Sequence, residues 1–385
     1  MIDVIIPVFR GFAATRRAVE AALHARCAQP REVIAIDDAS PEPRISQWLE
    51  GLASRGALTL LRHPDNRGFV ASVNEAMRLH GDRDVVLLNS DTQVSDGWLD
   101  RIAACAQGGG RVASISPFSN NATICSYPGF ARSNPLPAGA SAADLDALFA
   151  RENAGASVEI PTTVGFCMFI ARQALDDVGL FDEEAFGAGY GEEVDFCMRA
   201  SRAGYKHLLC ADTFVFHQGE VSFGGSGGER RIRAQAIVDA RYPEFQPTVR
   251  EFIQADPPRP FRRRVDIARL ARSPRPRVLY AAAGNHPQIE RHIRGLAAAQ
   301  SAHVEALFLQ VTDGAPALLR WLREGEAFEA ACDLAGGRAD CLALLGRLGV
   351  SQVEIHRSGE LPEALASLAA DLGVEAVTTI HQRAA

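Results

Sequence analysis

The sequence predicts an α/β fold in which a mostly parallel sheet is covered by helices on both faces, followed by a second, smaller α/β domain. Over the first hundred residues, apolar runs such as "DVIIPVF" and "DVVLL" alternate with segments of helical spacing such as "FAATRRAVEAALHARC". Continuous apolar runs of this kind are typical of parallel strands buried on both faces. The same alternation restarts near Arg277, after a stretch dense in proline and arginine.

We therefore expect three parts, because 385 residues exceed one ordinary core. These are a domain over 1–255, a Pro/Arg-rich linker over 256–276 and a Rossmann-like α/β domain over 277–385. The second domain is predicted to hold another parallel sheet, and the chain stops directly after its last strand, "VEAVTTIHQ". We expect a partial domain whose continuation is missing. The basic linker fits a solvated connection better than a membrane-surface contact.

Composition excludes several classes of protein. A net charge of -7 argues against a nucleic-acid partner. The amino end enters a strand without a basic, cleavable leader, and no apolar run reaches the roughly 18 residues of a membrane span. Eight scattered cysteines without a CxxC pair are expected as small core residues in a reducing compartment, which predicts a cytoplasmic protein.

Polar residues cluster where two predicted strands end. Asp37 and Asp38 follow "VIAI", and Asn89, Ser90 and Asp91 follow "VVLL". Ligands of parallel sheets bind beyond the carboxyl ends of the strands, where a carboxylate can hold a metal or accept from a base N–H. Asp and Asn also favour turns and helix caps. Taken alone, each cluster leaves both interpretations open.

Two further residues are candidates for chemistry. In "GYGEEVDFCMRA", Glu193 heads a helical stripe that continues through Phe196 and Cys197, so it either caps the helix or sits partly desolvated in a pocket. Asp195 and Arg199, four residues apart, are expected to form a structural ion pair. His217 ends the apolar strand "TFVFH" and becomes a ligand candidate only if the fold brings it near Asp91.

In order and spacing, seven segments resemble glycosyltransferase family 2, the inverting enzymes of GT-A fold that use nucleotide sugars. They are "VIIPVF", "VIAIDDAS", "NRGFVASVNEAM", "LLNSDTQVSDGWL", "VGFCMFIAR…GLFDE", "GYGEEVDFCMRA" and "FVFHQGEVSFG", which together span residues 2–225. The match is strongest to rhamnosyltransferase-like members that build bacterial surface polysaccharides. The tail from Arg277 resembles the amino-terminal half of a GT-B glycosyltransferase, whose donor-binding half would lie beyond residue 385.

The resemblance implies a role for each matching residue. It places Pro7, Phe9 and Asp38 in the nucleobase pocket, Asn66, Gly68 and Asn74 near the ribose and diphosphate, Asn89 and Ser90 at the nucleotide, Asp91 and His217 at the metal, and Glu193 as the general base. Asn89 stands where the family has the first aspartate of its metal motif. Glu193 stands where the family has an aspartate.

The implied activity is an inverting, metal-dependent hexosyl transfer. The donor would be a UDP-, dTDP- or GDP-sugar, the cofactor Mg²⁺ or Mn²⁺, and the acceptor a saccharide or lipid-linked saccharide at the inner face of the membrane. A nucleotidyltransferase is the main alternative, although "PVFRGFAATRR" is a poor version of its phosphate loop. A non-catalytic sugar-nucleotide-binding protein is the other, given the departures at Asn89 and Glu193.

Overall fold

The computed structural model describes residues 1–187, 189–219, 227–312, 316–358 and 360–381. The chain divides into two compact units, Met1–Phe261 and Arg262–Ala385. The first half of the glycine-rich segment "SFGGSGGERR", predicted as an ordinary loop or a lid, lies outside the described residues.

The first unit contains ten strands and ten helices within the described residues. The strands are β1 (Ile2–Val8), β2 (Arg31–Asp38), β3 (Thr59–His63), β4 (Asp84–Leu88), β5 (Thr92–Gln93), β6 (Val112–Phe118), β7 (Ser157–Glu159), β8 (Cys167–Ile170), β9 (Lys206–Phe214) and β10 (Phe216–His217). The helices are α1 (Phe12–His24), α2 (Pro43–Ala53), α3 (Phe69–Met77), α4 (Trp98–Gln107), α5 (Ala142–Glu152), α6 (Arg172–Val178), α7 (Glu183–Phe186), α8 (Glu192–Arg202), α9 (Gly227–Arg241) and α10 (Phe245–Ala255).

The main sheet has the order β3-β2-β1-β4-β8-β6-β9-β7 among the described strands. Strands β1 to β4 pair in parallel, β8 runs antiparallel to both β4 and β6, and β6 is parallel to β9. The two reversals at β8 cancel, so β4, β6 and β9 all end at one edge, where β8 begins. We call this edge of the sheet the carboxyl edge. The predicted mixed, mostly parallel sheet flanked by helices is confirmed.

Helix α8 brings its amino end to the carboxyl edge. It precedes β9 by three residues, and its first turn lies beside Gly165, just before β8 begins. Its apolar face, with Phe196, Cys197 and Ala200, is buried in the same core cluster as Val70 and Val73 of α3. Fully burying a side chain such as that of a phenylalanine or valine stabilises the fold by about 1.5–3 kcal/mol. The packing fixes the position of the acidic first turn of α8.

Some predicted elements are shorter in the structure. The strand expected in "TTVGFCMFIAR" is confined to β8, because Thr163 upstream bonds through its hydroxyl to Ser114 and the sheet pairing begins only at Cys167. The helix expected near residues 142–151 is α5, where Ser141 and Asp144 form a reciprocal capping box. The isolated dipeptide strands β5 and β10 pair with each other and were not predicted.

The segment predicted as a linker is largely helical. Helix α11 covers Arg259–Arg272, directly after the boundary residues that follow α10. Proline at its second position is compatible with a helix start, and the arginines are good helix formers. The composition alone predicts a solvated linker, because prolines flank this helix at both ends. The membrane contact considered for this segment stays a prediction.

The second unit is described by itself. Its strands are β11 (Arg277–Ala283), β12 (Glu305–Val311), β13 (Ala317–Trp321), β14 (Glu329–Cys332), β15 (Val350–Arg357) and β16 (Glu375–Ile380), and its helices are α12 (Pro287–Ala299), α13 (Arg338–Leu348), α14 (Glu363–Ala366) and α15 (Leu368–Leu372). Strands β12, β11, β15 and β16 are parallel, whereas β13 and β14 extend the sheet antiparallel. The predicted purely parallel sheet is therefore wrong at this edge, because the short connections allow hairpins and no crossover helix.

Two global expectations can be compared with the structure. All eight cysteines are free, and six of them are buried, as expected of core residues. In the described part of the chain, no helix combines the length and apolar character needed to cross a membrane.

Candidate active site

The structure brings Asp91 and His217 together at the carboxyl edge. Asp91 follows β4, His217 ends β10, and the antiparallel pairing of β5 with β10 places His217 opposite Thr92. The Nε2 atom of His217 lies 3.4 Å from Oδ1 of Asp91. The backbone N–H of Gly219 donates to the other carboxylate oxygen at 2.9 Å. The condition under which the sequence made His217 a ligand candidate is thus met.

The orientation of His217 is fixed from two sides. Its Nδ1 lies 2.7 Å from the backbone carbonyl of Asn121, which can only accept, so Nδ1 carries the hydrogen of the neutral ring. Its ring also stacks on Phe166, with centroids 5.3 Å apart and planes 21° apart. The Nε2 lone pair is consequently presented to the Asp91 carboxylate. Two acceptors that face each other at this distance are a natural place for a cation.

An asparagine network that sequence reasoning missed holds this arrangement. The side chain of Asn120 donates to the His217 carbonyl at 3.0 Å and accepts from the His217 N–H at 2.9 Å. It thereby bonds both backbone groups of His217, as a residue of a neighbouring strand would. Asn134 in turn donates to the carbonyls of Asn120 and Gly129. The signal was the polar triplet "SNN" inside a segment that looked structureless, and its buried amides anchor the loop to β10.

A pair of glutamates, Glu192 and Glu193, opens α8. Glu192 is buried and Glu193 partly buried, and each has one carboxyl oxygen without a hydrogen-bond partner in the described residues. Burial raises the pKa of Glu193, although the backbone amides of Gly191 and Gly165 oppose that rise. Burial and the neighbouring Glu193 charge raise the pKa of Glu192 well above its usual range. A carboxylate whose basicity is raised in this way suits proton abstraction.

Asp195, the third acid of this helix start, is committed to structure. It accepts from Arg199 Nε, Arg241 and the Tyr242 hydroxyl, each at 2.8 Å, and is fully buried. The predicted ion pair of Asp195 with Arg199 is confirmed. Because its lone pairs are occupied by these donors, Asp195 is excluded as the base that would replace Glu193.

Residues 165 and 166 connect the glutamates to the Asp91–His217 pair. A Cβ built on Gly165 would lie 3.7 Å from Oε1 of Glu193, so the backbone passes directly beside that carboxylate. The next residue, Phe166, stacks on His217 and accepts from the Asn89 N–H at 2.9 Å. The amino end of β8 therefore lies between a candidate base and a candidate metal pair, and contacts both.

Asp38 is engaged by its own chain. Its carboxylate accepts from His63 Nδ1 and from the backbone N–H of Arg67, both at 2.7 Å, and from the Gly68 N–H at 2.9 Å. Asn66 donates to its backbone carbonyl at 3.2 Å. Gly68 has φ 86°, a conformation that favours glycine. These contacts assign Asp38 to shaping the 63–68 loop: Oδ1 accepts two of the bonds and Oδ2 one, which leaves one acceptor position on Oδ2.

A cavity of about 550 Å³ lies beside this loop. It is lined by Asp37, Ala39, Ser40, Ser46, Arg62, His63 and Pro64. Asp37 accepts from the Ser40 N–H and the Ser46 hydroxyl, so this carboxylate too is held by its surroundings. The cavity places a guanidinium and backbone groups, and no uncommitted carboxylate, beyond the ends of β2 and β3.

Of the other predicted residues, Pro7 and Phe9 lie at the end of β1. Pro7 lies beyond the last β1–β4 pair, where its missing N–H breaks no ladder bond on that side, and Phe9 follows partly buried under the Arg10 guanidinium. Asn89 is partly exposed beside buried Ser90. Asn74 lies apart, because its amide donates to the Phe181 carbonyl at 2.9 Å and accepts from the Phe181 N–H. Its role is to join α3 to the segment before α7.

The comparison with protein families concerns the first part of the chain. Residues 3–179 match the family described as "Glycosyl transferase family 2". No curated protein matches the chain. A crystal structure of GalNAc-T7 with UDP, GalNAc and Mn²⁺ is 16% identical, with a TM-score of 0.47, and the match covers 64% of this chain. This chain spans about half, 49%, of the GalNAc-T7 chain.

The mannosyltransferase PcManGT from Pyrobaculum calidifontis, in complex with GDP-Man and Mn²⁺, is 18% identical, with a TM-score of 0.43. That match covers 77% of this chain and 80% of the other. At these identities and scores, neither likeness adds to the assignment. The matched region holds β1–β4, β8 and Asp91, whereas Glu193 and His217 lie beyond it; over residues 3–179 this chain matches glycosyl transferase family 2.

Proposed function

We propose that the amino-terminal unit is an inverting, metal-dependent hexosyltransferase. It transfers a sugar from a UDP-, dTDP- or GDP-sugar to a hydroxyl of a saccharide or lipid-linked saccharide, in the synthesis of a bacterial surface polysaccharide in the cytoplasm. The observation that carries the proposal is the placement of the Glu192–Glu193 pair and an aspartate–histidine pair on either side of the Gly165–Phe166 backbone.

The Asp91–His217 pair fits a divalent cation. The carbonyl of Asn121 fixes the ring tautomer so that the free Nε2 lone pair faces Oδ1 of Asp91, 3.4 Å away. One oxygen and one nitrogen donor suit Mn²⁺ better than Mg²⁺, which prefers an all-oxygen shell. When bound, the cation supplies charge neutralisation for the departing nucleoside diphosphate. Asn89, next to this pair and partly exposed, is placed to contact the nucleotide or a water.

Glu193 is the proposed general base. Its raised pKa makes it a stronger base than an exposed glutamate, and its carboxylate lies beside Gly165, just before β8 begins at the carboxyl edge. It removes the proton of the acceptor hydroxyl as that oxygen attacks the anomeric carbon from the face opposite the leaving group. A single displacement of this kind inverts the anomeric centre and requires no nucleophilic carboxylate.

The donor nucleotide is proposed to bind along the ends of β1, β2 and β4. Pro7 and Phe9 would border the base, and Asn66, Gly68 and Ser90 would border the ribose and diphosphate. In this proposal the Asn74 amide keeps a structural role, since it exchanges two hydrogen bonds with Phe181, and Asp38 holds the 63–68 loop while one acceptor position of Oδ2 remains for the base. Base recognition otherwise falls to the backbone and to the side chains around the cavity at Arg62.

The experiment is a panel of nucleotide sugars incubated with the full chain and MnCl₂, with and without saccharide acceptors. We expect acceptor-stimulated release of a nucleoside diphosphate from one donor, with loss of that release in EDTA. Asp91→Asn should lose the metal-dependent release, whereas Asp65→Asn, exposed in the 63–68 loop, should keep it. Pyrophosphate release from a sugar phosphate and a nucleoside triphosphate, with no diphosphate from any sugar donor, would overturn the proposal in favour of a nucleotidyltransferase.

A further inference from the structure

Three histidines of the second unit converge from different elements. His356 ends the buried part of β15, His381 follows β16, and His292 lies on α12. Strand β16 pairs in parallel with β15, with His356 opposite Thr379, so both histidines stand at the same end of neighbouring strands. One nitrogen from each ring can be chosen so that all three lie within 4.8 Å of one another. We call these residues the three-histidine cluster.

The ring geometry of the cluster is close. Nδ1 of His356 lies 2.9 Å from Nε2 of His381. The ring centroid of His292 is 5.7 Å from that of His356 and 5.1 Å from that of His381. Two imidazole nitrogens bound to one zinc at about 2.0–2.1 Å stand roughly 3.3 Å apart in a tetrahedral site. The His356–His381 spacing is therefore a few tenths of an ångström short of that value, and the His292 nitrogen, within 4.8 Å of the other two, would move closer to complete the site.

His356 is the central member and is completely buried. Its Nε2 lies 3.2 Å from Oε1 of Glu354, two residues earlier on the same face of β15, and makes no hydrogen bond of good geometry. A carboxylate behind the distal nitrogen of a histidine is the usual outer partner of a metal-bound imidazole.

A second cluster of possible ligands shows the contrast. Asp3, Glu32 and His80 also lie close together, but the guanidinium of Arg83 contacts Asp3 at 3.0 Å and Glu32 at 2.7 Å. The negative charge there is already neutralised by a side chain. In the three-histidine cluster, no arginine or lysine of the described residues contacts a ring nitrogen.

We propose that the three-histidine cluster is a binding site for a zinc-class divalent cation, with His292, Nδ1 of His356 and Nε2 of His381 as ligands and solvent in the fourth position. Three neutral imidazoles favour Zn²⁺, Ni²⁺ or Co²⁺ over Mg²⁺ and Ca²⁺. This site lies in a different unit from the proposed glycosyl-transfer site and does not depend on it.

The cation would stabilise a weakly buried edge. Strand β16 is mostly exposed, with Val377 40% and Ile380 67% accessible, and little apolar burial holds it in place. Ligation of His381 would tie the end of β16 to β15 and to α12. The site would thereby link three elements that are otherwise joined at this end by one strand pairing and helix packing.

The test is Zn²⁺ binding to the full chain after chelator treatment, measured by calorimetry, together with the visible spectrum after addition of Co²⁺. We expect one tight Zn²⁺ site, tetrahedral Co²⁺ bands and a Zn²⁺-dependent rise in the unfolding temperature. His292→Ala, whose side chain is exposed and unneeded for the core, and His381→Ala should each weaken Zn²⁺ binding at least about 100-fold, and Glu354→Gln about 10-fold.

The matched control is His286→Ala, an exposed histidine just before α12 that lies outside the cluster. It should bind Zn²⁺ as the unmodified chain does. The proposal is overturned if the unmodified chain binds no Zn²⁺, or if His292→Ala and His381→Ala bind it unchanged. It is also overturned if His217→Ala alone removes the binding, since that result would assign the ion to the amino-terminal unit.

Discussion

The substitution Asp38→Asn tests whether the Asp38 carboxylate stabilises its own chain or binds a ligand. The carboxylate accepts three hydrogen bonds at 2.7–2.9 Å, from His63 Nδ1 and from the backbone amides of Arg67 and Gly68. Asparagine preserves the shape but offers a single acceptor oxygen. If that oxygen keeps the bonds from His63 and Arg67, the new NH₂ group faces the N–H of Gly68.

The expected loss of stability follows from these three contacts. A hydrogen bond to a charged group contributes about 1.5–3 kcal/mol and a neutral one about 1 kcal/mol, so the two surviving bonds weaken by about 1 kcal/mol each. The lost third bond, with a buried Gly68 N–H left unpaired, costs about 2 kcal/mol more. We expect the free energy of unfolding around α3 to fall by about 4 kcal/mol, which corresponds to roughly thousandfold faster amide exchange.

Hydrogen exchange of the full chain, resolved by peptide over the 63–68 loop and α3, measures this change without interference from the second unit. Asp65→Asn is the matched control, because Asp65 is exposed in the same loop. It should leave exchange unchanged. The reasoning is refuted if Asp38→Asn also leaves α3 protected while the affinity for nucleoside diphosphate drops, since the carboxylate would then face the ligand.

Three further outcomes are expected. His217→Gln should raise the Mn²⁺ concentration needed for half-maximal turnover about 10–100-fold, and an unchanged Mn²⁺ titration would remove His217 from the metal site. Gly219→Ala should act in the same direction, because at φ 78° its Cβ would meet the Asn121 amide at 2.2 Å; Gly204→Ala, at φ 82° with open space, is the control and should have no effect on that titration. Glu192→Gln should raise the unfolding temperature at pH 7 but not below pH 4. Folding raises the pKa of Glu192, so this carboxyl destabilises the fold as the pH rises above its unfolded pKa of about 4.5, and glutamine removes that effect. Equal effects at both pH values would contradict this.

The sequence predicted the sheet and the residues at its carboxyl edge because both leave local patterns. Apolar runs indicated β1, β2 and β4, and the acids after them indicated an edge where a ligand could bind. The pattern does not show which of these acids accepts hydrogen bonds from its own chain and which one faces a ligand site. Asp38 and Asp91 both follow apolar strands, yet one accepts from the 63–68 loop and the other faces His217. The difference depends on chain segments distant in sequence.

Other features could not be predicted from the sequence for the same reason. The contact between Asp91 and His217 joins residues 126 positions apart through the dipeptide strands β5 and β10, which are too short to leave a periodic pattern. The role of Asn120 depends on backbone groups of β10. The hairpin of β13 and β14 alternates buried with partly or fully exposed residues, but over runs of only five and four residues. Its direction was decided by connection length.

The proposed chemistry is tested most directly by the turnover of Glu193→Gln in saturating donor and Mn²⁺, with donor affinity measured separately. Removing a general base should lower turnover about 10²–10⁴-fold while the dissociation constant of the donor stays nearly the same. Glu184→Gln, exposed on α7, should behave as the unmodified chain. Turnover of Glu193→Gln equal to that of Glu184→Gln would contradict the assignment of Glu193 as the base.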